Sequence, residues 1–126
     1  MKKLLYIMVL FLTMACSGDP SEAAGETARL YYQYLLDGKY DDFVDGFYRP
    51  DSIPHTYRAS LIENAQMYMY QQEQERKGVS DVKVVRAYAD TALHAAHVFL
   101  LLTYKDSTTE EIVVPMVEEK GKWYMR

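Results

Sequence analysis

Only one cysteine, four prolines and three histidines occur among the 126 residues. A single cysteine excludes a disulfide framework within the chain and a multi-cysteine zinc site. Apolar runs are short: the longest, Leu4–Leu12, is well under the roughly 20 residues that a helix needs to cross a bilayer. Clustered positive charge is missing as well. Fourteen Lys and Arg stand against 18 Asp and Glu, a net charge of −4, which argues against nucleic acid as a partner because phosphate binding begins with a basic patch. No glycine-rich phosphate loop and no nucleophile elbow occurs. His94 and His97 are an odd number of residues apart on one expected strand and so point to opposite faces, which removes them as a metal pair. The sequence requires no cofactor.

What is present is an ordinary globular composition, 49% apolar and 25% charged, in a length that suits one domain with one core. Twelve tyrosines are the one excess, and each combines a large apolar body with a polar tip suited to cores, pockets and interfaces.

Lys2 and Lys3 precede the apolar run, and the small residue Ala15 precedes Cys16, a secretory signal pattern. Leu12-Thr13-Met14-Ala15-Cys16 resembles the lipobox of bacterial lipoproteins, with Leu12 one residue further from the cysteine than usual. That resemblance implies cleavage before Cys16, a diacylglycerol on its thiol and a fatty acid such as palmitate on its amine. It also uses the only thiol, which would otherwise be unpaired in an exported protein. The expected organisation is a signal peptide over 1–15, a lipidated cysteine and short tether over 16–20, and a single domain over 21–126, lipid-anchored to a bacterial envelope membrane. Once Lys2 and Lys3 leave with the leader, twelve basic residues face 18 acidic ones, a net charge of about −6.

Asp19-Pro20-Ser21-Glu22 is a helix start, with Asp19 as N-cap and Pro20 in the first turn. Spacing predicts a helix to about Leu36 whose stripe is Ala24, Ala28, Tyr31 and Leu35, with a stop at Gly38. A shorter helix is expected over Tyr40–Phe47. After Arg49–Pro54, a long third helix carries Tyr57, Leu61, Ala65 and Tyr68 on one stripe and ends in a polar, solvated run over Gln71–Lys77.

From Val79 onward the chain reads as four strands separated by turn signals at Asp90-Thr91, Asp106-Ser107 and Glu118–Gly121, an antiparallel meander. With two-residue loops at the first two turns, His97 opposes Val84 and Met116, and with the last turn closing over Glu118–Gly121, Met116 opposes Trp123. The expected core face then carries Val82, Val84, Tyr88, His97, Phe99, Leu101, Val114, Met116 and Trp123. The expected outer face carries Val85, Val98, Leu100, Val113 and Val117. An outer face this apolar predicts an interface, with a two-fold homodimer as its simplest form. Pro115, interior to the sheet, predicts a bulge.

Three helices followed by a curved meander, with Tyr34-Leu35-Leu36, Asp37-Gly38-Lys39-Tyr40, Val113–Val117 and Gly121-Lys122-Trp123, resemble the nuclear-transport-factor-2-like, or cystatin-like, fold. Within it the chain is most similar to small bacterial lipoproteins classed as a domain of unknown function. The resemblance implies an α+β cone of three N-terminal helices on a four-stranded antiparallel sheet, whose interior in some members binds a small molecule and in others performs isomerase or dehydratase chemistry. Expected around such an interior are Tyr31, Tyr57, Tyr68, His97, Phe99, Met116 and Trp123. His97 is the one candidate base, and no carboxylate partner for it can be named. Two functions follow: a non-catalytic domain that binds a small apolar ligand or a protein, or a small enzyme built on His97.

Overall fold

The structure, a computed structural model, describes residues 19–126. The segment over 1–15 expected to be a signal peptide, and Cys16, expected to carry lipid, lie outside the described residues. Three helices come first: α1 (Pro20–Leu36), α2 (Tyr40–Asp45) and α3 (His55–Arg76). Four strands follow, β1 (Val79–Asp90), β2 (Ala95–Tyr104), β3 (Thr109–Glu119) and β4 (Lys122–Met125), hydrogen-bonded in sequence order as one antiparallel sheet. Among the described residues no helix is long and apolar enough to cross a membrane.

Helix α1 forms as its capping pattern dictates. The Asp19 carboxylate accepts the Ser21 N–H at 2.9 Å, Pro20 opens the first turn, and Gly38 at φ 78° follows the last. It buries Ala24, Gly25, Ala28, Tyr31 and Leu35. These lie mostly against β1, where a Cβ on Gly25 would stand 3.3 Å from Val84, so glycine sets how near the helix comes. Helix α2 is shorter than expected and stops at Asp45 with Gly46 as its C-cap. Of helix α3 only Ala65 is buried, while Tyr57 is 52% exposed. Its long polar face explains the shallow docking.

The face of β2 is reversed from the sequence expectation. Its buried residues are Ala96, Val98, Leu100, Leu102 and Tyr104, whereas His97 is exposed and Phe99 and Leu101 are partly covered on the opposite side. The cause lies in the β2–β3 turn. Tyr104 and Thr108 flank a three-residue loop, closed by the Tyr104 N–H to the Thr108 carbonyl at 2.9 Å, with Ser107 at φ 75°. A loop with one more residue than assumed shifts pairing by one, and a one-residue shift exchanges the faces. His97 therefore pairs with Tyr88 and Pro115, and Val98 with Ala87 and Val114.

A bulge at Val85 reconciles β1 with this register. Val82 and Val84 oppose Leu102 and Leu100 inside, while beyond the bulge Ala87 and Ala89 turn inward and Arg86 and Tyr88 outward. The β1–β2 loop has four residues, Thr91–His94, and the β3–β4 turn is Lys120-Gly121 with both at positive φ, the primed geometry that suits a hairpin. No bulge occurs at Pro115. Its carbonyl faces the β4 side and accepts from Arg126 N–H, just beyond the end of β4, so the missing proline N–H breaks no ladder bond. The free side of β4 is covered by residues 46–48: Gly46 accepts from Met125 N–H at 2.8 Å, and Met125 accepts from Tyr48 N–H at 2.7 Å.

Candidate functional site

The residues expected around one interior pocket are not brought together. Tyr31 and Trp123 meet inside, where the Tyr31 hydroxyl donates to the Trp123 carbonyl at 2.8 Å, and Met116 is buried near them in the core. Tyr57 lines a separate apolar cleft between α2 and α3, about 400 Å³, with Phe43, Phe47 and Leu61. His97 and Phe99 lie on the other side of the sheet. His97 is thus no interior base, and the enzyme reading built on it loses its central group. Val98 and Leu100, expected on an outer interface, are wholly buried core residues.

Of the polar groups at this interior, Tyr31 and Tyr68 were among those expected, whereas Tyr104 and its partner Glu110 escaped sequence reasoning. Tyr104, at the end of β2, donates its hydroxyl to Glu110 Oε1 at 2.7 Å, and the Tyr68 hydroxyl of α3 adjoins it. The Arg76 guanidinium lies 4.5 Å from the Tyr104 ring centroid, so the end of α3 closes over this cluster. Burial, together with the donated hydrogen bond to Glu110, pushes the Tyr104 phenol well above its ordinary range. Tyr32, partly buried against the core, is pushed up to about 12 by burial, and Tyr68 is also raised by burial. Phenols held neutral in this way donate hydrogen bonds and do not act as bases near neutral pH. No buried side-chain nitrogen or oxygen among the described residues lacks a partner, so none is left aimed at a ligand. The only signal for Glu110 was its place opposite Leu102, legible once the three-residue turn is known.

The side of the sheet away from the helices is built differently. Its cross-strand rows are Asp90, Ala95, Val117 and Tyr124; then Tyr88, His97 and Pro115; then Arg86, Phe99 and Val113. Val85 is 44% exposed, Val113 52% and Tyr88 61%. The Tyr88 and Phe99 rings meet edge to face with centroids 6.2 Å apart, and Arg86 stacks 4.2 Å over Phe99. Arg86 also grips Glu111 with two hydrogen bonds of 3.1 and 3.3 Å, so the charge in the middle of this face is already paired. Tyr124 continues the surface towards Tyr48, centroids 6.0 Å apart, beside a cleft of about 550 Å³ formed by residues 47–53 and the β3–β4 turn.

No family model matches the sequence, and no curated protein aligns with it. A solved Campylobacter jejuni structure, described as a candidate NTF2-like transpeptidase, superimposes with a TM-score of 0.64 at 10% identity, over 79% of this chain and 94% of that one. The fold is NTF2-like. At this identity the likeness is one of architecture, and activity does not travel with it. In this NTF2-like chain the helices fill the concave side of the sheet, and the opposite side displays the exposed apolar and aromatic rows.

Proposed function

We propose that this chain is a lipid-anchored accessory domain of a bacterial cell envelope, non-catalytic, which pairs through the helix-free face of its sheet with a second copy of itself. The observation that carries the reading is the contrast between the two faces. Inside, the large side chains Leu100, Leu102, Met116 and Met125 fill the space and the hydroxyls of Tyr31 and Tyr104 already have acceptors. Outside, Val85, Tyr88 and Val113 stand exposed around the closed Arg86–Glu111 pair. A face whose central charges neutralise each other suits self-pairing in an acidic protein, because two copies meet without opposing like charges there. The Lys2-Lys3, Leu4–Leu12 and Ala15-Cys16 pattern supports export and acylation.

The neighbour's transpeptidase description finds no support in this chain's hydrogen bonds. Such chemistry needs a nucleophile within reach of a base. Ser60 and Ser80 donate to backbone carbonyls, Ser21 accepts the Ala89 N–H, and no serine is bonded to histidine among the described residues. A small apolar ligand is the second reading, favoured by the α2–α3 cleft with its phenylalanine lining.

Native mass spectrometry of the acylated domain released from its own membranes tests both. A dimer without a retained small molecule is the expected result. A monomer that carries a ligand would replace the first reading by the second. Loss of fatty-acid labelling in Cys16→Ser checks the anchor.

A further inference from the structure

The start of α1 is bound to one end of the sheet. Ser21 Oγ accepts the Ala89 N–H at 2.9 Å, two residues before the β1–β2 loop Thr91–His94. At that loop Leu93 is 73% exposed, more than any other large apolar side chain among the described residues. Its loop is firmly held. Asp90 Oδ1 accepts the N–H groups of Ala92 and Leu93 at 3.1 and 3.3 Å, and the His94 carbonyl accepts the Glu118 N–H at 2.8 Å. The polar side chains flanking the tip are engaged within the fold, Asp90 on the loop backbone and His94 Nδ1 with Glu118 at 3.2 Å. An apolar tip flanked by Thr91 and Ala92 remains. The opposite end of the sheet, at Lys105–Thr108, is about 30 Å away along β2.

Three residues separate Cys16 from Pro20, a tether that spans at most about 14 Å even when fully extended. Acyl chains on Cys16 therefore hold the start of α1, and the loop bound beside it, close to the lipid headgroups. We infer that the β1–β2 loop is a membrane-contacting tip, with Leu93 entering the interfacial layer of the bilayer that takes the anchor. This rests on the lipid attachment proposed above. It gives the domain a defined stance: the Lys105–Thr108 turn and the end of α3 point away from the membrane, and the helix-free sheet face stands clear for pairing. One shallow apolar residue adds little affinity beside two or more acyl chains, so its effect is on orientation rather than on attachment.

The test uses the acylated chain in phosphatidylcholine vesicles, whose zwitterionic surface leaves general charge attraction out of the result. Acylation consumes the Cys16 thiol, so Leu93→Cys and, separately, Ser107→Cys each provide one site for an environment-sensitive dye. Flotation with the vesicles reports the anchor. The expected result is a blue shift at position 93 and quenching there by lipids brominated near the headgroup, with neither at position 107. Hydrogen exchange of the undyed wild-type chain should show bilayer protection over 91–94. A chain that floats but shows no shift and no protection at the loop, or equal shifts at both sites, overturns the orientation alone. A chain that fails to float overturns the lipid attachment and the orientation with it.

Discussion

The ring of Tyr31 packs tightly against Gly46: a Cβ there would stand 2.6 Å from ring carbon Cδ1 and 2.8 Å from Cε1. This contact joins α1 to the end of α2, and the Tyr31 hydroxyl continues the link to β4 through the Trp123 carbonyl. Gly46 is helix-compatible at φ −75°, so space rather than backbone freedom demands glycine. Gly46→Ala should destabilise the domain by ~1–3 kcal/mol through overpacking, read from the urea midpoint. Tyr31→Phe keeps the ring and removes the hydroxyl, with an expected loss of ~1 kcal/mol.

Val113→Glu and Leu100→Glu separate interface from core. Val113 is exposed on the helix-free face and Leu100 is fully buried. The first should give a folded monomer by sedimentation with unchanged circular dichroism. The second places an unpaired carboxylate in the core and should abolish folding. A folded dimer of Val113→Glu would remove this face as the pairing surface.

Acid behaviour should report the Asp45–Arg58 pair. The two hydrogen bonds from Arg58, at 3.0 and 2.8 Å, hold the Asp45 carboxyl below its ordinary value, with the positive charges of Arg58 and Arg49 adding to the effect. A carboxyl lowered in the folded state contributes stability that is present above its unfolded pKa and lost as pH falls through the folded one. Arg58→Ala should move the Asp45 titration upward by carbon NMR and flatten the acid limb of the stability curve. The pair is solvent-exposed, so the change in stability near neutral pH should be small.

At the alkaline end the signs reverse. Tyr32 is raised from 10.0 to about 12, and Tyr31, Tyr68 and Tyr104 are raised in the same sense, each chiefly by burial. A group raised in the folded state contributes stability that is complete below its unfolded pKa and lost as pH climbs through the folded one. Phenolate absorbance should therefore rise in two phases, exposed tyrosines first and buried ones only with unfolding. Coincident titration of the exposed and buried tyrosines would contradict the enclosure of these rings.

Ser107 occupies the left-handed region at φ 75° in the turn that sets the β2–β3 register. Ser107→Gly should relieve that strain and raise stability by up to ~1 kcal/mol without altering the pairing. Amide chemical shifts across β2 and β3 would show any slip.

Much of the architecture was legible because local rules act over short distances. Asp19, Pro20 and Gly38 bound α1, and a spacing of three and four residues marked its buried stripe. The meander followed from four β-rich runs and three turn signals. On β3 and β4 the face assignment held, since the β3–β4 register differs from expectation by two residues and an even shift keeps every side chain on its side.

On β2 it did not. Nothing local distinguishes a two-residue Asp106-Ser107 loop from the three-residue loop that forms, because the left-handed position is filled by serine instead of the glycine that would announce it. Nor does β1 announce its bulge at Val85. β2 is apolar on both sides, so alternation could not arbitrate; only packing against α1 decided that Val98, Leu100 and Tyr104 go inside and His97 and Phe99 outside.

The sequence by itself thus determined the element order, the α+β class and the presence of two apolar sheet surfaces, all consequences of residue type and spacing. Tertiary structure alone decided which surface each β2 residue occupies and so where a partner can reach. That choice depends on a one-residue shift between distant strands, whose energy resides in contacts that no short segment contains.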